Sequence, residues 1–415
     1  MNRQSITTAL DTLRRVLPDG GRVFIPGCAA EPLAFAQALA ARPALAAHLT
    51  FEGVWIPGVN ATDWAGLHPD ARAEAIFLAS AWRDSFSAGR LAFSPLTYTQ
   101  AWRRLSGRSF DAGVFTVAPP GPDGRCSLGV AADFSPAVFE RTRFRIGLIN
   151  PAMPAVRDGP TVPVDAFDVL VEVEGALPDY GAGSIDAIST VIAARVADLV
   201  PDGATVQTGL GKIGVATLAG LSDRRGLSIH SGMVTEPLID LLDHDVVEAV
   251  TTGVALGSPA LYARVADDPR VRFRPVGETH AITTLAVLPR FIAVNSAIEV
   301  DLFGQVNAEW MDGQQVSGAG GLIDFLRGAW ASEGGVSIVA LPASARGGTV
   351  TRIVPRLSCP PSVGRGDPVV VVTEHGIADL RGLSIEARAQ ALIAIAAPIH
   401  RPRLEADWSA MRRAM

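Results

Sequence analysis

Cysteine is scarce in this sequence of 415 residues, which contains only Cys28, Cys126 and Cys359. Three is an odd number, and no two of them have the close spacing of a metal-binding pair. We therefore expect neither a disulfide framework nor a metal site. Such sparse use of cysteine is typical of a reducing compartment, so we predict a cytoplasmic protein.

Runs of like charge and long apolar runs are also missing from the chain. The net charge of −6 argues against non-specific binding to nucleic acid. No apolar run reaches the length of a transmembrane helix, and residues 1–21 predict an amphipathic helix rather than a signal peptide. We expect no nucleic-acid partner and no membrane partner. Hydrophobic residues make up 48% of the chain, which indicates a globular protein with a large core, and the length predicts two or three domains.

Residues 201–243 are the most informative stretch, because they predict a strand, a glycine loop, a helix and a second strand. The predicted strands cover residues 204–208 and 227–230, and the predicted helix covers residues 215–221. The loop between them, residues 209–214, includes Lys212, which is the only lysine of the chain. A glycine loop at a helix N-terminus offers free N–H groups to an anion.

This loop has two other interpretations. It matches the GxGxxG dinucleotide pattern, but the following strand ends at His230-Ser231, where that pattern needs an acidic residue. It also resembles a phosphate-binding P-loop, but Ile213 follows the lysine where Ser or Thr is required. These absences disfavour an NAD-dependent oxidoreductase, and a simple tight turn is the competing structural explanation.

The beginning of the chain repeats the plan of this stretch. Residues 17–53 also run from a Pro-Asp-Gly turn through a strand, a glycine loop and a helix to a second strand. Glu52-Gly53 then corresponds to Ser231-Gly232. Any two βαβ units look alike to some degree, so coincidence is the alternative, but the repeated turn and the matching corner favour an internal duplication.

We predict an α/β fold of two related open domains with mainly parallel sheets and an active-site cleft between them. The expected domains are residues 1–173 and 185–415, joined by a glycine-rich linker over residues 174–184. Residues 72–88 are predicted to be helical.

Six segments in a fixed order carry a family resemblance. They are Ala30-Glu31-Pro32 and residues 207–214, 295–309, 317–325, 341–355 and 373–382. Together they resemble the acetyl-CoA hydrolase and 4-hydroxybutyrate CoA-transferase family, within the family I CoA-transferases. The resemblance implies an acyl-CoA:carboxylate CoA-transferase or an acyl-CoA hydrolase that acts on small acyl groups. It also implies a homo-oligomer, with coenzyme A as a substrate and no permanently bound cofactor.

In that family a glutamate attacks the acyl-CoA thioester, an anhydride forms, and CoA then forms a thioester with the enzyme. Backbone N–H groups of a glycine loop would stabilise the oxyanion, and basic residues would face the CoA phosphates. The resemblance implies the following CoA-binding or oxyanion residues: Gly209, Gly211, Lys212, Gly232, Gly318, Gly320, Gly321 and Arg346.

The sequence departs from the family at the catalytic glutamate, because the family motif His-Ser-Glu-Met reads His230-Ser231-Gly232-Met233 here. Three outcomes are open. Glu52, at the corresponding corner of the other half, would supply the missing carboxylate, and this is the favoured candidate. Glu236, close after Gly232, is a weaker candidate, since an acid in the first turn of a helix is usually structural. The third outcome is a protein that binds acyl-CoA without transferring it.

Overall fold

The chain folds into two successive α/β halves. A computed structural model describes residues 4–181 and 183–415. Residues 1–3 of the expected first domain and residue 182 of the expected linker lie outside the described residues. Among those described, no helix has both the length and the apolar character needed to cross a membrane.

The first half is built on a parallel sheet. Its strands are β1 (Gly21–Phe24), β2 (Leu49–Glu52), β3 (Arg72–Ala75), β4 (Leu91–Phe93), β5 (Phe110–Val117), β6 (Arg125–Ser127), β7 (Thr142–Ile149), β8 (Thr161–Pro163) and β9 (Val169–Glu172). Its helices are α1 (Ile6–Val16), α2 (Leu33–Ala40), α3 (Arg83–Ser87), α4 (Tyr98–Gly107) and α5 (Ser135–Phe139). Within residues 4–181 the sheet has seven strands in the order β4-β3-β2-β1-β5-β7-β9, while β6 and β8 form a separate antiparallel pair.

The second half begins with α6 (Ala187–Ala197), and its main sheet repeats the first. The strands of this sheet are β10 (Thr205–Thr208), β11 (Leu227–Val234), β12 (Val247–Ala255), β13 (Val271–Phe273), β14 (Phe291–Ser296), β19 (Val336–Ala340), β23 (Val370–Thr373) and β24 (Gly376–Asp379). Across residues 183–415 the order is β13-β12-β11-β10-β14-β19-β23-β24, and β24 runs antiparallel to β23. Apart from β24, the strands follow the same spatial order as in the first sheet, so the predicted fold class of two related α/β domains is confirmed.

Short strands and further helices complete the second half. The short strands are β15 (Glu299–Asp301), β16 (Val306–Asn307), β17 (Trp310–Met311), β18 (Gln314–Gln315), β20 (Ser344–Ala345), β21 (Val350–Thr351) and β22 (Ile353–Val354). The helices are α7 (Lys212–Ala219), α8 (Leu238–Asp243), α9 (Pro259–Asp267), α10 (Val276–Thr279), α11 (Ile282–Leu285), α12 (Leu322–Ala331), α13 (Ile385–Ile395) and α14 (Arg401–Arg413).

The two halves are joined by a shared core and by backbone contacts. One buried apolar cluster contains side chains of both sheets, from Val23 and Phe51 to Val206 and Ile338. The Tyr98 N–H donates to the Gly320 carbonyl over 3.1 Å, and the Ala132 N–H donates to the Gly253 carbonyl over 2.9 Å. These contacts fix the position of the loops that lie between the sheets.

The predicted helix over residues 72–88 is wrong. Residues 72–75 form β3, and the helix in this region is α3, which begins at Arg83. The side chains of residues 72–75 alternate between buried and exposed, as in a strand: Ala73 and Ala75 are buried, while Arg72 is exposed and Glu74 is half-buried. The alanines gave the segment a helical propensity that the sheet overrides.

Candidate active site

A cavity of about 360 Å³ lies between the two sheets. Beside Gly318, Gly320 and Gly321 it is lined by side chains of the first half and by residues at the carboxyl ends of β10, β11 and β14. Ligands of open α/β sheets bind at such strand ends. The lining residues discussed below are Cys28, Phe77, Tyr98, Asp133, Gly209, Gly232, Met233, His280 and Phe325.

The glycine loop before α12 forms one wall of the cavity. Two of its glycines are packed against the first half: a Cβ on Gly318 would lie 2.2 Å from the Ile76 carbonyl oxygen, and one on Gly320 would lie 2.9 Å from the Phe77 ring. Within the described residues the N–H groups of Ala319 and Gly321 form no hydrogen bond. The loop therefore holds unpaired donors at a helix N-terminus, an arrangement suited to a developing oxyanion.

The loop of residues 209–214 reaches the cavity with its first residues. Gly209 lines it, while Gly211 has φ of +103° and donates its N–H to the Tyr180 hydroxyl over 3.1 Å. The Lys212 side chain is 43% exposed and lies 3.5 Å from Asp186. Lys212 is thus on the surface at the start of α7, outside the cavity lining.

Gly232 lies within β11 and faces an imidazole. A Cβ at this position would lie 2.8 Å from Cε1 of His280, so any side chain there requires His280 to move. The His280 ring packs between Tyr98 and Phe325, at centroid distances of 4.8 and 4.4 Å. Burial, together with neighbouring His230, lowers the pKa of His280 to about 3. His280 is therefore neutral near neutral pH, and its Nδ1 lies 2.8 Å from the Thr279 hydroxyl.

Asp133 and Cys28 line the cavity from the first half, and the sequence reasoning missed both. Asp133 is only 4% exposed, and burial raises its pKa to about 6. Its Oδ1 accepts the Phe134 N–H over 2.8 Å, and its Oδ2 lies 4.0 Å from the Cys28 Sγ. Cys28 has a left-handed φ of +53°, and burial raises the pKa of its thiol. The sequence did contain a signal for Asp133, which is the one acid of the otherwise apolar segment 128–134. An acid in such a segment is expected to be buried.

The expected placement of Glu52 in the cleft is corrected by the structure. Its carboxylate is 2% exposed and is held by Arg22, Arg104 and Arg108, at distances of 2.6, 2.9 and 2.8 Å. The same arginines contact Glu74 on the neighbouring strand. Glu52 does not line the cavity. It is a paired structural carboxylate, because three guanidinium groups surround it and leave no free face for a substrate.

Glu236 is also placed away from the cavity. Its carboxylate accepts the N–H of Ser258 over 3.0 Å and also the Ser258 hydroxyl, and Ser258 caps α9. Glu236 thus braces a helix N-terminus, which is the structural role that competed with catalysis.

Arg346 lies outside the cavity lining too. Its side chain is 65% exposed and contacts Asp312 over 2.7 Å. Neither this arginine nor Lys212 is buried, so both are accessible to a charged ligand. In the part of the chain that the structure describes, no group of three or more His, Cys, Asp or Glu side chains is arranged to hold a metal ion.

Comparison with known proteins gives concordant matches. Residues 8–176 match the family model of the acetyl-CoA hydrolase/transferase N-terminal domain, and residues 257–408 match that of the C-terminal domain. The chain is 31% identical over 352 residues to a 4-hydroxybutyrate coenzyme A transferase of Clostridium kluyveri, covering 82% of each chain.

Solved structures agree with these matches. RipA from Yersinia pestis superposes with a TM-score of 0.89 at 29% identity, covering 99% of this chain and all of the other. A 4-hydroxybutyrate CoA-transferase from Porphyromonas gingivalis gives 0.80 at 27% identity, covering 99% and 97%. The chain therefore belongs to the acetyl-CoA hydrolase/transferase family, which includes CoA-transferases and an acetyl-CoA hydrolase.

Proposed function

We propose that the protein binds a small acyl-CoA with its thioester in the cavity between the sheets and cleaves that thioester, passing CoA to a carboxylate or releasing it to water. The observation that carries the proposal is the cavity of about 360 Å³, whose lining includes Ala319 and Gly321, with unpaired N–H groups, and residues at the ends of strands of the second sheet. A volume of this size suits a small ligand group.

Two features of the cavity support a small acyl group. Phe77, Tyr98, Met233 and Phe325 line it and occupy space that a long acyl chain would need. The N–H groups of the glycine loop are fixed by packing, so they need no reorganisation when the thioester oxygen gains negative charge. Gly318, Gly320 and Gly321 are therefore retained as the proposed oxyanion residues, with Gly232 beside them.

CoA binding is proposed to involve the loop of Gly209, Gly211 and Lys212, and also Arg346. Lys212 follows the cavity-lining Leu210 by two residues and is accessible. Arg346 is accessible as well and would exchange Asp312 for a CoA phosphate. A homo-oligomer in the cytoplasm is part of the same proposal: the family resemblance supports the oligomer, and the sparse cysteines support the cytoplasm.

A non-catalytic acyl-CoA-binding protein is the second candidate. The observation that favours it is Gly232, together with the finding that no glutamate is among the described residues that line the cavity. Binding without turnover would follow if no other group attacked the thioester.

An activity screen separates these candidates. The purified chain is incubated with a panel of short acyl-CoAs, with and without small carboxylates, and the products are measured by thiol titration and mass spectrometry. We expect a new acyl-CoA in the presence of a carboxylate, or free CoA in its absence. Calorimetric binding of acyl-CoA without any product would instead establish the binding protein.

Lys212→Ala is expected to raise KM for the acyl-CoA about tenfold with little change in kcat. A lost charge-assisted phosphate contact costs about 1.5 kcal/mol, which corresponds to roughly that factor. Steady-state kinetics measure the effect. Arg403→Ala, which removes an exposed arginine of α14, is the control and should leave KM unchanged. An unchanged KM in Lys212→Ala would remove this residue from the CoA site.

A further inference from the structure

We infer that Asp133, delivered from the first half of the chain, is the carboxylate that attacks the thioester in place of the glutamate missing at Gly232. This inference rests on the proposed function. Among the described residues that line the cavity, Asp133 is the only carboxylate.

Asp133 is a buried acid that lines the cavity without a cationic partner among the described residues. It is 4% exposed, and in the described part of the chain no arginine, lysine or histidine forms an ion pair with it. A buried carboxylate without a cation is costly, so a folded protein keeps one only where a gain elsewhere offsets the cost. Glu52 shows the contrast, because three arginines neutralise it.

Backbone contacts bring Asp133 next to Gly232. Residue 131 forms a bridge with Val254 of β12, and the Ala255 N–H donates to the Val130 carbonyl over 2.8 Å. Gly253 lies between the two positions: a Cβ built on it would be 3.5 Å from the Asp133 Cβ and 3.2 Å from the Gly232 oxygen. Asp133 therefore lies next to Gly232, the position at which the family has its glutamate. Asp133 belongs to the first half of the chain, whereas Gly232 belongs to the second.

The proposed reaction balances without any further reagent. A carboxylate oxygen of Asp133 attacks the thioester carbon, the carbon–sulfur bond breaks, and CoA leaves as a thiolate with an aspartyl–acyl anhydride on the enzyme. The thiolate then attacks the aspartyl carbon and releases the first carboxylate, which leaves an aspartyl–CoA thioester. An incoming carboxylate reverses these steps with its own acyl group, whereas water regenerates the free acid and CoA.

The titratable groups near Asp133 are uncharged near neutral pH. Burial raises the pKa of the Cys28 thiol and of the Tyr98 phenol, so both are neutral, and His280 beyond Tyr98 is neutral as well. The attacking form of Asp133 is the anion, which predominates above its pKa of about 6. We expect kcat/KM to fall as the pH drops through about 6, a higher value than an ordinary aspartate gives.

The experiment compares Asp133→Asn and Asp133→Glu with the parent. Asp133→Asn should lose about 10³-fold or more in kcat, while Asp133→Glu should recover part of the activity. Borohydride added to the parent during turnover should reduce the aspartyl–CoA thioester and convert residue 133 to homoserine, which peptide mass spectrometry detects. The melting temperature of Asp133→Asn should equal or exceed that of the parent, because an unpaired buried charge is removed.

Glu31→Gln is the matched control. Glu31 is equally buried in the same half, but it contacts Asn60 and lies outside the cavity lining. Its kcat should stay within about threefold of the parent, because this carboxylate does not line the cavity and Gln keeps an oxygen that can accept from Asn60.

The outcomes separate the inference from the proposed function. An active parent with near-full activity in Asp133→Asn, or with no label at residue 133, overturns the assignment of Asp133 and leaves the thioester chemistry standing. A parent that binds acyl-CoA but gives no product overturns both. Lost activity with a strongly lowered melting temperature and no label indicates a structural role and also contradicts the inference.

Discussion

Replacing Glu52 by alanine is expected to lower the free energy of unfolding by about 3 kcal/mol. Removing one partner of a buried ion pair costs about 3–5 kcal/mol, because the remaining charge is left without compensation. The lower end applies here, since the side chains of Arg22, Arg104 and Arg108 are 20–34% exposed and can be rehydrated. Urea denaturation followed by circular dichroism measures the change.

The control for this prediction is Glu405→Ala, which removes an exposed acid from α14 and should change stability by less than about 0.5 kcal/mol. Any remaining folded Glu52→Ala protein should keep the kcat of the parent, because the carboxylate does not line the cavity. A large loss of kcat at unchanged stability would return Glu52 to the catalytic site and contradict the structure.

The prediction about Glu52 failed for a local reason, although the duplication behind it is supported by the strand order. Register pairs Glu52 with Glu74 on the neighbouring parallel strand, so both carboxylates lie on the same face of the first sheet. The arginines of α4 and its C-terminus pack onto that face and neutralise the pair. The equivalent strand β11 continues through Val234, so Gly232 lies within a strand, whereas Glu52 ends one.

The sequence predicted more of the fold than of the site, and the difference has a physical basis. Periodicity and turn signals are local, and they placed the strand at Thr205–Thr208, the loop before α7 and the two related sheets. The cavity depends on contacts between residues far apart in the chain, such as Asp133 with Gly253. Sequence spacing alone does not give the distance between such residues. The only sequence signal for the site was Asp133, an acid within the apolar segment 128–134, which indicated a buried carboxylate.

Because the cavity depends on contacts between distant residues, Gly318→Ala is expected to damage both activity and stability. The new Cβ would lie 2.2 Å from the Ile76 carbonyl oxygen, which is backbone of the other half and cannot rotate away. The loop must therefore shift, and a displacement of about 1 Å at a catalytic site can cost roughly 100-fold in rate. We expect kcat/KM to fall by about that factor, with a loss of about 1–3 kcal/mol in the free energy of unfolding from overpacking.

Comparison with a second glycine makes this prediction specific. In Gly321→Ala the new Cβ would meet the Nε2 atom of His280 at 2.6 Å, and a side chain yields more readily than backbone, so the loss should be smaller. Gly364→Ala is the control, because nothing lies within 4 Å of its Cβ and it should behave as the parent. If Gly318→Ala kept full activity, the thioester oxygen could not be held by this loop, and the donors that stabilise it would have to be sought at the ends of β10 and β14. The rank order of the three variants thus tests whether the junction of the two halves positions the oxyanion.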